Sequence, residues 1–190
     1  MTHPFEADLD ASLSILKQNG TLLYPTDTIW GVGCDALSDI AIQKVFAIKK
    51  RDQQKTFVLL MSDVRQLSQY IAAPIPDLEG WLEQFEGPTT IIYPHAINLP
   101  DRLIAADGSI AVRITKDPFC RTLIRRLKHP LVSTSANISG EKPAAVFADI
   151  HSEVLNAVDY VVHWRRDEVV PASPSAILKL HSDGSYTKIR

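Results

Sequence analysis

Four stretches of this chain carry side chains able to hold an anion or a small polar substrate. Lys49-Lys50-Arg51 with Lys55 sets four cations on what reads as a helix-to-strand connection. Cations at a helix C-terminus often do no more than complement its dipole. On such a loop, however, Arg offers a planar fork for phosphate or carboxylate, and Lys a mobile point charge. Ser133-Thr134-Ser135-Ala136-Asn137-Ile138-Ser139-Gly140 brings hydroxyls and an amide off the end of a strand. These suit phosphates, a ribose or an amino acid, although Ser, Asn and Gly are also ordinary turn formers. Tyr24-Pro25-Thr26-Asp27-Thr28-Ile29-Trp30-Gly31-Val32-Gly33 offers two threonine hydroxyls, and two glycines that let backbone approach closely. Arg113 lies within SIAVRIT. There it either faces solvent by alternation or, if buried, must find a partner such as a substrate carboxylate.

Other chemistries find no footing. Neither GxGxxG nor GxxxxGK[ST] occurs, so a bound nucleotide would need a different phosphate cradle. Histidines 3, 95, 129, 151, 163 and 181 show no HxH or HExxH spacing, and no metal-ligand set emerges. No Ser-His-Asp or Cys-His arrangement is legible. Trp164-Arg165-Arg166 could stack on and pair with RNA, but a solvated basic turn is the commoner explanation.

Elements must place these groups. The apolar spacing predicts a helix over 7–18, stopped by Asn19-Gly20, a strand at 21–25, and then a loop bearing TDTIWGVG. Ser38 caps a predicted helix running to about Lys49, with Ile42, Val45, Phe46 and Ile48 as its apolar stripe. A buried strand is expected at 57–61, followed by two short helices over 63–71 and 76–85. Further strands are expected at 89–94, 109–115, 130–136, 160–164, 175–180 and 185–190, with helices at 117–127 and 147–157. Asp183-Gly184 reads as the turn of a closing hairpin. Strands interleaved with helices imply an α/β fold with a mixed sheet. With no repeat, low-complexity tract or linker, residues 1–190 read as one domain.

The bulk properties narrow the function. A hydrophobic content of 45% supports a real core and excludes wholesale disorder. Twenty Lys and Arg against 22 Asp and Glu leave a net charge of −2. That balance argues for a local basic pocket rather than a basic surface for nucleic acid. Cys34 and Cys120, far apart in sequence, suggest neither a disulfide framework nor a zinc knuckle. The acidic start MTHPFEADLD is no signal peptide, and no stretch approaches the roughly 20 apolar residues of a membrane span. A reducing, cytoplasmic setting is expected.

Five motifs in order, YPTDTIWGVG, KKR followed by a Lys, FEGPTTIIYP, SIAVR and STSANISG, resemble the YrdC-like family of threonylcarbamoyl-adenylate synthases. The likeness runs from about Thr21 to the C-terminus. It implies a twisted, open, mixed α/β sheet with flanking helices around one large positive cavity. The family's KxR…SxN pattern falls on Lys49, Arg51, Ser135 and Asn137. By the same transfer Thr28, Arg113, Ser135 and Ser175 line the threonine pocket, and Arg51, Lys55, Ser109, Asn137 and Arg190 hold ATP. The chain departs from the family at Asp52, where Pro is common, at Glu86 of Glu86-Gly87-Pro88, and at Ala176 after Ser175.

The resemblance also implies a reaction. L-threonine, bicarbonate and ATP give threonylcarbamoyl-AMP and pyrophosphate, which needs no protein nucleophile. Lys49, Arg51 and Lys55 would neutralise phosphate charge together with Mg²⁺, and Arg113 would clamp the threonine carboxylate. tRNA-modifying transferase proteins would consume the product. Two alternatives share the fold: an RNA-binding module for double-stranded RNA or tRNA, and a nucleotide-binding paralogue without synthase activity.

Overall fold

The structure, a computed structural model, describes residues 4–53, 55–72, 78–181 and 183–190. Its helices are α1 (Glu6–Lys17), α2 (Asp39–Lys49), α3 (Val64–Leu67), α4 (Leu78–Glu83), α5 (Pro118–Leu127) and α6 (Ser152–Ala157). Its strands are β1 (Leu22–Tyr24), β2 (Gly31–Asp35), β3 (Val58–Met61), β4 (Thr89–Tyr93), β5 (Ile110–Ile114), β6 (Leu131–Ser135), β7 (Tyr160–Val161), β8 (Ala176–Leu180) and β9 (Tyr186–Lys188). The strands form one sheet in the order β7-β1-β2-β6-β3-β5-β4-β8-β9. Pairings β1–β7, β3–β5 and β4–β8 are parallel and the others antiparallel, so the sheet is mixed, as expected from the sequence.

Local chemistry sets the element ends. Ser38 caps α2 by accepting from Ala41 N, and Asp117 caps α5 by accepting from Cys120 N, with Pro118 in the first turn. Gly20 N donates to Ile15 O as α1 ends; a Cβ at position 20 would lie 2.4 Å from Ile15 Cγ2, which leaves room only for glycine.

Several elements differ from the sequence expectation. The loop expected over TDTIWGVG ends at Trp30, and Gly31–Asp35 is a central strand. Its Gly-Val-Gly start weakens the strand signal, but a Cβ at Gly33 would lie 1.8 Å from Val132 O, so glycine is what lets β2 lie against β6. The strand expected over 160–164 stops at Val161, because the Asp8 carboxylate takes the backbone N–H groups of His163 and Trp164. The helix expected over 147–157 is split into a 3₁₀ turn, Phe147–Asp149, and α6, whose N-cap is His151. The first two residues of the helix expected over 76–85 lie outside the described residues.

Strand alternation sends successive side chains to two apolar layers. Leu23, Val32, Leu59, Met61, Val112 and Val132 join a core with α2. Leu22, Tyr24, Leu60 and Leu131 join the other, against Phe119, Leu123 and Ile124 of α5 and Leu9 and Leu16 of α1. Helices α1 and α5 thus cover part of one sheet face. Register places Val58, Ala111, Ser133 and Ser135 on that same face, past the helices.

Candidate active site

Past the helices, that face floors a cavity of about 310 Å³. Its lining includes Gly31 of β2, Val58 of β3, Thr90 and Ile92 of β4, Ala111 and Arg113 of β5, Ser133 and Ser135 of β6, and Ile177 of β8. Loops close the sides with Thr28, Arg51, Thr56, Ser175 and Arg190. Three guanidinium groups therefore meet in one space, and among the described lining residues none is acidic.

Arg113 is buried and approaches Asp27 Oδ1 at 3.2 Å from Nη2. Ion-pair distance is met there, but Asp27 Oδ1 has no partner in good hydrogen-bond alignment, so the attraction is coulombic more than directional. Nη2 also lies 3.4 Å from Thr26 Oγ1, while Arg113 Nε is buried without a protein partner. An unmatched buried donor on a cation is costly unless something fills it. The loop presenting this group is fixed from outside: Arg165 Nη1 donates to Thr26 O (3.0 Å) and Asp117 Oδ2 (2.9 Å), and Lys116 N donates to Asp27 Oδ2.

The KxR segment forms the opposite wall. Arg51 donates to Lys55 O and Thr56 O and stacks over Phe57 at 5.1 Å, so its fork is held in place. Burial works against its charged form, although a guanidinium keeps its proton in proteins. Lys49 is only 1% exposed and donates to Ser135 O, Asn137 O and Asn137 Oδ1. Ser139 N returns a bond to Lys49 O. The end of α2 is thereby stitched to the turn that follows β6. Burial, with Arg51 the next contributor, brings the Lys49 pKa down to about 8. On the far side Ser175 Oγ lies 2.8 Å from Thr90 Oγ1, and Arg190 donates twice to Ser175 O.

Of the residues expected from sequence, Thr28, Arg51, Arg113, Ser135, Ser175 and Arg190 line the cavity. Lys49 and Asn137 stand behind the wall, with Asn137 Nδ2 donating to Ile138 O and Glu141 O. Lys55 is exposed, and the Ser109 hydroxyl donates to Asp107, away from the lining. Sequence reasoning did not single out Asp27 or Thr90, and it offered the Thr26 hydroxyl without giving it a site role. Thr90 had a signal, since alternation along TTIIY puts it on the face of Ile92. Thr26 meets Arg113 from 87 residues away in sequence and Asp27 stands next to it, and no local pattern announces that.

Residues 14–190 match the sequence model of a family described as "Telomere recombination". The chain belongs to this Sua5/YciO/YrdC family. The threonylcarbamoyl-AMP synthase of Idiomarina loihiensis is 35% identical over 156 residues, spanning 80% of this chain and 83% of that protein. E. coli YciO has the same fold, with a TM-score of 0.84 at 21% identity, covering 100% of this chain and 91% of its own. P. abyssi Sua5 complexed with L-threonine gives a TM-score of 0.84 at 18% identity over 97% of this chain. This chain spans about half the length of that one, 54%. The Sua5/YciO/YrdC sheet is thus the open, mixed one described above, and no helix among the described residues is long and apolar enough to cross a membrane.

Proposed function

We propose that this Sua5/YciO/YrdC protein is a threonylcarbamoyl-AMP synthase and that the cavity is its active site. The observation that carries the reading is the meeting of Arg51, Arg113 and Arg190 in one cavity whose described lining holds no acid. Such a site attracts a ligand with several negative charges. A carboxylate fits the open Nε–H of Arg113, and phosphates fit Arg51 and Arg190.

The threonine amine adds to bicarbonate with loss of water, giving a carbamate. A carbamate oxygen then attacks the α-phosphorus of ATP, and pyrophosphate leaves from the opposite side. The protein aligns the reactants and neutralises charge. Arg113 clamps the threonine carboxylate while Thr28, Ser135 and Ser175 orient the amino acid. Arg51, with Arg190 across the cavity, faces the phosphates, and exposed Lys55, four residues on, reaches the outer ones. Lys49 and Asn137 keep the Ser135 wall in place. Ser109 joins the ATP contacts only if its hydroxyl leaves Asp107.

Mg²⁺ fits this site poorly as a protein-held ion. A protein Mg²⁺ site ordinarily supplies one or two carboxylates. The described lining offers none, and no cluster of three or more His, Cys, Asp or Glu suited to a metal occurs among the described residues. We therefore assign Mg²⁺ to the ATP phosphates, entering as part of the substrate. The product is a reactive acyl-adenylate, and we assign its consumption to tRNA-modifying proteins of the same cytoplasm.

Incubation with ATP, bicarbonate and L-threonine, followed by mass detection, yields threonylcarbamoyl-AMP and pyrophosphate if the reading holds. Binding of ATP without product would instead make the chain a nucleotide-binding paralogue. Thermal stabilisation by RNA alone would make it an RNA-binding module.

A further inference from the structure

Thr26 makes more hydrogen bonds than its single proton can donate, and that fixes the role of its neighbour. Its Oγ1 lies 2.9 Å from Ile29 O, 3.0 Å from Thr28 Oγ1 and 3.4 Å from Arg113 Nη2, and it accepts from Thr28 N at 2.9 Å. A carbonyl oxygen only accepts, so the Thr26 proton is spent on Ile29 O. With that proton on Ile29 O and Thr28 N–H on one Thr26 lone pair, the Thr28 hydroxyl is the donor of their contact and takes the second lone pair ahead of the more distant Arg113 Nη2. With its only proton turned inward, Thr28 offers the cavity lone pairs alone. Thr26 is 1% exposed and Thr28 8% exposed, so water cannot readily reverse the arrangement.

We propose that Thr26 is a specificity-determining positioning residue: it makes Thr28 an obligate acceptor, so that the cavity selects an amino acid whose side chain carries a hydroxyl donor. This rests on the reading of the cavity as an amino-acid site. Thr26 contacts both Thr28 and Arg113, so the acceptor lies one side chain away from the carboxylate clamp. The substrate amine must stay uncommitted to become a carbamate. The hydroxyl takes no part in the reaction, and it is the donor this acceptor holds. A buried acceptor left unmet by a ligand is penalised, so a methyl-for-hydroxyl analogue is rejected more strongly than loss of one contact implies.

The test is calorimetric titration of the intact protein, without ATP, using L-threonine, L-serine and L-2-aminobutyrate, which is threonine without its hydroxyl. Wild type should prefer L-threonine over L-2-aminobutyrate by on the order of 10²-fold or more. L-serine should fall closer to threonine. Thr26→Val removes the inward acceptor and frees the Thr28 proton, and the preference should shrink at least tenfold. Thr26→Ser keeps every lone pair and the proton, and should retain it. Thermal melts confirm that each variant is folded. An undiminished preference in Thr26→Val overturns the inference, as does equal binding of the two ligands by wild type. Binding of neither amino acid by wild type overturns it together with the function reading. Absence of threonylcarbamoyl-AMP, with the calorimetric pattern intact, counts against the synthase reading alone.

Discussion

One sheet face does two jobs. Under α1 and α5 it presents Leu22, Leu60 and Leu131 to Leu9, Phe119 and Leu123, a dry layer that a helix can cover. Further along β6, at Ser133 and Ser135, the same face meets no helix and instead floors the cavity. The backbone of β6 is the same in both places, and what differs is the cover: a helix over Leu131, the cavity over Ser133, which is buried all the same. Polarity follows in part: where no helix arrives, Thr90, Arg113, Ser133 and Ser135 stand among the apolar Val58, Ile92, Ala111 and Ile177. The covered half should therefore hold most of the stability and the open half most of the binding.

The sharpest break of that division is Arg113. Arg113→Met leaves Asp27 charged, largely buried and unpaired, which should cost about 3–5 kcal/mol in urea unfolding and abolish threonine binding. Adding Asp27→Asn should recover most of the stability and none of the binding; recovery of binding would remove Arg113 as the carboxylate clamp. Leu123→Ala, beneath α5, should cost about 2–5 kcal/mol while leaving the threonine affinity of the folded protein unchanged. A matching loss of affinity would show that the two halves are not separable. Arg51→Ala should lower adenylate formation on the order of 10²-fold, read as pyrophosphate release, with little change in stability. Near-normal release would exclude it from the phosphate contacts.

The smallest effect concerns Lys49, at the end of α2. Its pKa in the folded protein, about 8, lies below the ordinary lysine value of 10.5. Between those two values the unfolded chain binds the proton more tightly, so the contribution of Lys49 to stability rises with pH across that window. It is least favourable below pH 8. Urea unfolding at pH 7.5 and 9.5 should show this rise in wild type and not in Lys49→Met. A fall instead would mean that the three oxygen acceptors outweigh burial.

The helix-packed layers on the two sides of the sheet were the easier to read from sequence. The stripe of α2, the caps Ser38 and Asp117 and the apolar strands follow from periodicity and turn chemistry, and they place α5 and β6 close to where they stand. Strand β2 was hidden because Gly33 is chosen for the approach of Val132, a contact about 100 residues distant. The open half was legible only through five motifs taken in order. Arg113, Arg51 and Ser135 carried recognisable chemistry. Thr26 and Asp27 act through residues remote in sequence, and Lys49, a cation by type, turns out to hold carbonyls.

That last placement has a mechanical consequence. Because Lys49 grips the turn after β6 and receives Ser139 in return, Arg51 and Ser135 ride on one rigid block. The cavity cannot widen by parting those two. For the active site proposed here, room for a ligand is to be sought across from them, around Ser175 and Arg190, and so is any motion that speeds or slows turnover.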